Sequence, residues 1–232
     1  MQIIAHRGAS GEFPENTLLA IAQAILQGAD AIEVDVYAVE GELIVIHDPK
    51  LERTTNGNGT IYQHSLAYLR QLDAGEGEPI PTLWQVLELV HGRCWLNIEL
   101  KGKDTAPPLL AMLARAQQVL GLSLDEVLVS SFNHHLLLQL KQALPELRLG
   151  ALTASLQLNY AQYVHDLGMY SVHCDLNFID QQLVHDAHQL GLKVFVYTVD
   201  GLDDISDMQQ LGVDGIFTNY PARSRVWAFE GG

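Results

Sequence analysis

Two neighbouring runs, Ala31-Ile32-Glu33-Val34-Asp35-Val36 and Leu43-Ile44-Val45-Ile46-His47, decide how the rest of the chain is counted. Both are β-branched and strand-like, and only a short segment containing Gly41 separates them. So short a link cannot make a parallel crossover, which takes a dozen residues or more, so the pair is predicted to be an antiparallel hairpin. Outward from it, short apolar runs alternate with longer amphipathic ones. Before it come a strand over Ile3 to Ala5 and a helix over Asn16 to Gln27, ended by Gly28. After it, residues Pro49 to Pro81 are rich in Gly, Asn, Thr and Glu; they are expected to form a small insertion in which Ile61 to Leu72 packs as a helical piece. The alternation then resumes with helix Leu83 to His91, strand Trp95 to Leu100, helix Pro108 to Leu120, strand Glu126 to Ser130 and helix His134 to Leu144. It continues through strand Arg148 to Ala151, helix Leu158 to Leu167, strand Ser171 to Cys174, helix Asp180 to Leu190 and strand Lys193 to Thr198. Helix Leu202 to Leu211, strand Gly215 to Phe217 and a helical piece from Ala222 complete it.

With the hairpin return set aside, eight strands remain, each followed by a helix. This pattern predicts an α/β fold, a TIM (β/α)₈ barrel with a β-hairpin excursion after the second strand and an insertion over about residues 49–81, the whole of 1–232 forming one domain. A doubly wound sheet would usually open on a G-x-G-x-x-G turn. The first turn here reads HRGASGEFPENT, with a different spacing.

Composition narrows the partners. The 232 residues include 13 Lys and Arg against 28 Asp and Glu, a formal charge of −15. Such a body repels nucleic acid and anionic membranes, and an anionic metabolite would need a local positive site. A hydrophobic share of 48% supplies a substantial core. Met1 to Arg7 lacks the basic lead and apolar run of a secretory leader, and no run of about 18 apolar residues occurs. The expectation is therefore a cytoplasmic protein with no stable membrane association. Cys94 and Cys174 are too few for a disulfide framework and form no metal-type pair, so both are expected to be buried thiols.

In a barrel of this kind, chemistry sits at the C-terminal ends of the strands. Reactive side chains collect there: His6 and Arg7, Glu33 and Asp35, Glu99 and Lys101, Ser130 and Ser131, Tyr197 and Thr198, Thr218 and Asn219. The strand period puts Glu33 and Asp35 on one face, about 6.6 Å apart, where one divalent ion would relieve their repulsion. Glu99, between Asn97 and Lys101 on the same face of its own strand, completes an all-oxygen set that suits Mg2+ or Ca2+ better than zinc. An isolated E-x-D pair would more often be a solvated rim or a partner for Arg7 and Lys101; the company of Glu99, Arg7 and His6 favours the metal. His6 and His47 are the proton-transfer candidates, since the hairpin returns His47 to the level of Glu33 and Asp35. The remaining histidines read as structural, His173 with a minor prospect of lining the pocket. Arg7 and Lys101 would provide the local positive charge that the whole chain lacks. Asn16 is the favoured cap of the first helix, and Glu15 is expected to reach the mouth of the site.

Read together, these segments resemble the glycerophosphodiester phosphodiesterases, especially the short cytoplasmic bacterial type. The shared motifs run in order: AHRG-x₅-PENT at Ala5 to Thr17, IEVDV at Ile32 to Val36, VIHD at Val45 to Asp48 and RTTNGNG at Arg53 to Gly59. NIELK at Asn97 to Lys101, SSF at Ser130 to Phe132, YTVD at Tyr197 to Asp200 and GVDGIFTNYP at Gly212 to Pro221 follow. The resemblance implies a divalent metal, often calcium or magnesium, and hydrolysis of a small-molecule glycerophosphodiester to sn-glycerol 3-phosphate and an alcohol. It implies His6 as proton acceptor, His47 as proton donor, Glu33, Asp35 and Glu99 as metal ligands, and Arg7 and Lys101 as phosphate contacts. Tyr197 stands where the family usually has tryptophan, and Asp200 where it often has asparagine; Tyr197 can still stack on the glycerol or the leaving group. Two rivals are set beside this reading. A lysophospholipase D-type phosphodiesterase would want an exposed apolar rim or an interfacial helix, and the predicted helices show no basic amphipathic face and no aromatic cluster beyond Trp227 and Phe229. A non-catalytic anion-binding barrel should have lost a proton-transfer or metal residue, and none is missing.

Overall fold

The computed structural model describes residues 1–229. Eight parallel strands make the barrel: β1 (Gln2–His6), β2 (Ala31–Val39), β4 (Trp95–Leu100), β5 (Val127–Ser131), β6 (Arg148–Thr153), β7 (Ser171–Asp175), β8 (Lys193–Tyr197) and β9 (Gly215–Thr218). Each pairs with the next around the ring, and β1 closes it by pairing with both β9 and β2. The ninth strand, β3 (Glu42–Val45), runs antiparallel on β2 with Val36 opposite Val45 and Val39 opposite Glu42, as the short link requires. Glu40 and Gly41 turn the hairpin with φ of 52° and 81°, the paired positive values of a turn whose twist matches its strands.

The helices α1 (Leu18–Leu26), α3 (Leu83–Val90), α4 (Ala106–Val119), α5 (His134–Ala143), α6 (Gln162–Asp166), α7 (Gln181–Gln189), α8 (Leu202–Leu211) and α9 (Pro221–Phe229) cover the outside; α2 (Leu66–Leu69) lies in the insertion. Three local expectations need correcting. Thr17, not Asn16, caps α1: its hydroxyl accepts from the Ala20 amide at 3.1 Å, while Asn16 sits at φ 59° with its amide turned elsewhere. The helix expected from Leu158 shrinks to Gln162–Asp166, because Leu158 is fully exposed and Tyr160, at φ 46°, takes a left-handed conformation that a helix cannot pass through. The helical piece over Ile61 to Leu72 is two short turns, a 3₁₀ turn at Ile61–Gln63 and then α2, with Ser65 capping the second through the Tyr68 amide.

The principal core lies between the barrel wall and the helices. Inside the barrel, Ile4, Ala31, Leu128, Phe195 and Phe217 pack together and close its floor. A third cluster joins the insertion to the hairpin: Leu51, Ile61, Leu69, Leu72 and Ile80 pack on Tyr37, Val39, Ile44 and Ile46. Each of those large side chains gains about 1.5–3 kcal/mol by leaving water, enough to hold the insertion against the barrel mouth. Cys174 is buried, whereas Cys94 is only half-buried. No helix of the described residues is long and apolar enough to cross a membrane.

Candidate active site

The strand period aims Glu33 and Asp35 into the barrel, and parallel register with β4 sets Glu33 beside Asn97 and Asp35 beside Glu99. One oxygen from each of Glu33, Asp35 and Glu99 lies within 4.8 Å of the others. All three side chains are buried, and Glu33 Oε1 and Asp35 Oδ1 have no hydrogen-bond partner among the described residues. Burial first, then repulsion from Asp35 and Glu99, holds Glu33 well above the usual carboxylate range. Burial and Asp35 likewise push Glu99 up to about 7, in spite of Lys101 Nζ at 2.7 Å. Burial opposes ionisation of Asp35 too, but Arg7 and Lys101 outweigh it and keep that carboxyl low. Three clustered acids, two with an orphaned oxygen and two reluctant to ionise, fit a hard divalent cation, which accepts an all-oxygen set.

The first loop surrounds this triad. The Arg7 amide donates to Glu33 Oε2 at 2.9 Å, its Nε lies 3.2 Å from Asp35 Oδ2, and its Nη1 meets Glu15 Oε1 at 3.0 Å. Gly8 lets the loop lie this close to α1: a Cβ there would stand 2.6 Å from the Ala20 backbone. Asn16 donates through Nδ2 to Asp35 Oδ2 at 2.9 Å and accepts the Asp35 amide at 3.3 Å. It therefore fixes a candidate ligand instead of capping the helix. Lys101 Nζ stands 3.5 Å from Asp35 Oδ1 on the other side.

The two histidines are fixed through Nδ1. His6 Nδ1 lies 2.8 Å from Asn219 Oδ1, and Asn219 is oriented by donating through Nδ2 to Asp200 Oδ2 at 2.6 Å. Asp200 thus makes the Asn219 oxygen the group that faces His6. That oxygen can only accept, so His6 carries its proton on Nδ1 and keeps a lone pair on Nε2. Burial, then the charge of Arg7, lowers His6 to about 4, so the ring is neutral at pH 7. His47 follows β3, held level with Asp35 by the Ile46 amide on the Asp35 carbonyl at 3.0 Å. Its Nδ1 is bound to Asp48, and Asp48 is bound by Arg53, which lowers that carboxyl to about 2. Among the described residues, His47 makes no hydrogen bond through Nε2.

His6, Arg7, His47, Lys101, Glu33 and Glu99 line a single cavity of about 230 Å³, and Tyr197 forms part of its wall. Tyr197 donates its hydroxyl to the Thr153 carbonyl at 2.8 Å, leaving its ring, edge-on to Phe132, as the surface on offer. Glu15 does not line the cavity; both of its oxygens are engaged by Arg7 and Arg53. His173 does line it, at the floor, with Nε2 on Ser171 Oγ at 2.9 Å between Phe195 and Phe217; burial alone lowers it to about 3. Sequence reasoning missed the apolar wall of Phe132, Leu152 and Phe217, and the supporting roles of Asn16, Arg53 and Asp200. Phe132 had a signal, its place directly after the end of β5; Asn16, Arg53 and Asp200 lie within the shared motifs, but their roles depend on partners elsewhere in the chain, Asp35, Glu15 and Asn219. It also missed an apolar rim. Phe132, Leu156, Leu158, Phe178 and Leu202 are exposed, and they lie in the segments that follow β5, β6, β7 and β8, Leu202 at the start of α8.

Comparison with known proteins places the chain in a family. Residues 6–223 match the model of the Glycerophosphoryl diester phosphodiesterase family. The chain is 38% identical to a glycerophosphodiester phosphodiesterase of Caldanaerobacter subterraneus over 94% of each sequence, and 35% identical to one of Bacillus altitudinis over 96% of each. Among solved structures it is similar to an Oleispira antarctica phosphodiesterase in complex with the product sn-glycerol-3-phosphate, with TM-score 0.88, 32% identity and coverage of 98% of this chain and 96% of that one. With a family match across nearly the whole chain and relatives of this identity and coverage, the chain belongs to the glycerophosphoryl diester phosphodiesterase family.

Proposed function

We propose that this phosphodiesterase hydrolyses small glycerophosphodiesters to sn-glycerol 3-phosphate and an alcohol, with His6 and His47 as the proton-transfer pair and a divalent cation at Glu33, Asp35 and Glu99. The observation that carries the reading is the meeting, on one cavity, of two imidazoles with Nδ1 fixed and of Glu33 and Glu99, with Asp35 within 4.8 Å of both carboxylates and orphaned oxygens on Glu33 and Asp35. The bound cation, Mg2+ or Ca2+, would neutralise charge on the phosphoryl oxygens. Arg7 and Lys101, both on the cavity wall, supply further positive charge to the phosphate. His6 Nε2 takes the proton of the nucleophile, either water or the adjacent glycerol hydroxyl. As the phosphorus–oxygen bond to the alcohol breaks, the electron pair stays on that oxygen, and His47 gives it a proton. Tyr197 and Phe132 offer ring surface to the glycerol or the head group.

The acidic body, charge −15, is consistent with a cytoplasmic enzyme that acts on a compact diester and repels nucleic acid. Release of glycerol 3-phosphate from glycerophosphocholine, with and without EDTA, tests the proposal; undiminished turnover after rigorous metal removal would sink the metal assignment. Phosphorus NMR separates the two nucleophiles, since a cyclic glycerophosphate seen before glycerol 3-phosphate requires attack by the neighbouring hydroxyl. The second reading, a lysophospholipase D-type activity on lipid substrates, is favoured by the exposed rim of Phe132, Leu156, Leu158, Phe178 and Leu202. Faster turnover of an acylated glycerophosphocholine than of glycerophosphocholine would select it.

A further inference from the structure

Arg53 comes from the insertion and stands outside the cavity lining, yet it joins two groups that bear on the chemistry. Its Nη1 and Nη2 make a two-pronged pair with Glu15 Oε2 and Oε1, both at 2.8 Å, and its Nε is paired with Asp48 Oδ2. Glu15 in turn holds Arg7, and Asp48 holds His47 Nδ1. Charges therefore alternate along Asp35, Arg7, Glu15, Arg53 and Asp48, and Asp48 meets the His47 ring. A planar guanidinium can grip one carboxylate with a fork and a second with its remaining N–H; a lysine ammonium, a point charge on a flexible stem, cannot fix both. The two backbone segments it joins are also packed on each other, since a Cβ on Gly75 of the insertion would lie 2.7 Å from the Pro14 side chain beside Glu15.

The Arg53 side chain is 46% exposed, and ion pairs at such a surface add little to fold stability. What the arrangement does provide is direction. Asp48 alone could rotate with His47; clamped by an arginine that is itself anchored on Glu15, it gives the imidazole one orientation. The geometry points to Arg53 as a positioning residue for leaving-group protonation, anchored on Glu15 and locking the Asp48 carboxylate that orients His47. This rests on the reading of His47 as the proton donor.

The test compares two esters of glycerol 3-phosphate on wild type and on R53A, R53K and H47A. Choline is a poor leaving group that needs a proton, whereas p-nitrophenolate departs without one. R53A should lose on the order of 10- to 100-fold in kcat for glycerophosphocholine and less than about 3-fold for the nitrophenyl ester, with the melting temperature within a few degrees of wild type. R53K should resemble R53A, and added guanidinium should restore R53A, because an open cleft lined by Arg53, Thr54 and Thr55 adjoins the vacated position. Equal losses on both esters, as a loosened Arg7 would give, overturn the proposal; so does wild-type turnover of both by R53A. If R53A fails to fold, the same contrast is read from R53K and D48N. H47A separates the two readings: if it spares the nitrophenyl ester and R53A does not, only the Arg53 proposal fails, and if H47A strikes both esters equally, the donor role of His47 fails with it.

Discussion

The two imidazoles of the cavity are held in opposite ways. His6 ends a barrel strand, is enclosed, and gives its Nδ1 proton to a neutral amide; His47 ends a hairpin, is 28% exposed, and is bound to a carboxylate. Burial and Arg7 bring His6 down to about 4, so that its Nε2 is a ready acceptor at neutral pH. A carboxylate on Nδ1 suits the donor role proposed for His47, since it would stabilise a protonated ring. The difference in role proposed for two chemically identical side chains rests on their neighbours: Asn219 and Asp200 from the end of the barrel for one, Asp48 and Arg53 from around the start of the insertion for the other.

The comparison can be broken most sharply by removing each ring. His6→Ala and His47→Ala should each lower kcat on glycerophosphocholine by about 10²–10⁴-fold, and wild-type rates in either variant would end the acid–base assignment. Next in size is the support of His6. Asn219→Ala removes the acceptor that selects its tautomer and should cost on the order of 10-fold in kcat with KM little changed; a change confined to KM would mean that Asn219 serves binding instead.

The metal side should show itself through protons. With Glu99 up to about 7 in the metal-free site, binding of Mg2+ or Ca2+ has to expel protons, so affinity measured by calorimetry should rise as pH increases through 7. Glu99→Gln should weaken binding by at least about 10-fold while circular dichroism stays unchanged, and pH-independent binding in the wild type would contradict the proposed ligand set.

His173 gives a smaller effect on stability. Its value in the fold, about 3, lies below the ordinary 6.5, so the unfolded chain binds a proton that the folded one refuses. Stability from this group is complete above pH 6.5 and is lost as pH falls towards 3; His173→Leu should therefore flatten the fall in urea midpoint with acidification. The smallest change is expected at the rim, where Leu158→Ser should alter stability by no more than about 0.5 kcal/mol and leave glycerophosphocholine turnover as it was. A selective loss on an acylated substrate would move weight to the lipid reading.

Much of this was legible in the chain before folding was considered. Period-two alternation placed Glu33 and Asp35 on one face, and the shortness of the link before Glu42 made the hairpin, which put His47 at the right level. These signals are local: strand period, turn length and motif order act over a few residues. Asn16 shows where local reading fails, for its capping chemistry is equally good beside Thr17, and only the approach of Asp35 from β2 settles which of the two caps. Leu158 fails in the same manner, its apolar spacing looking helical until the loop after β6 leaves it in water.

The sequence by itself determined the barrel and named the three carboxylates and two histidines that the fold brings together, because each follows from residue type and short spacing. Tertiary structure alone decided which nitrogen of His6 is free and what holds His47. His6 meets Asn219 across 213 positions, and Arg53 meets Glu15 across 38. Those meetings depend on ring closure between β1 and β9 and on the seating of the insertion against the first loop, and no propensity or period encodes a contact that exists only once the far ends of the chain have been brought together.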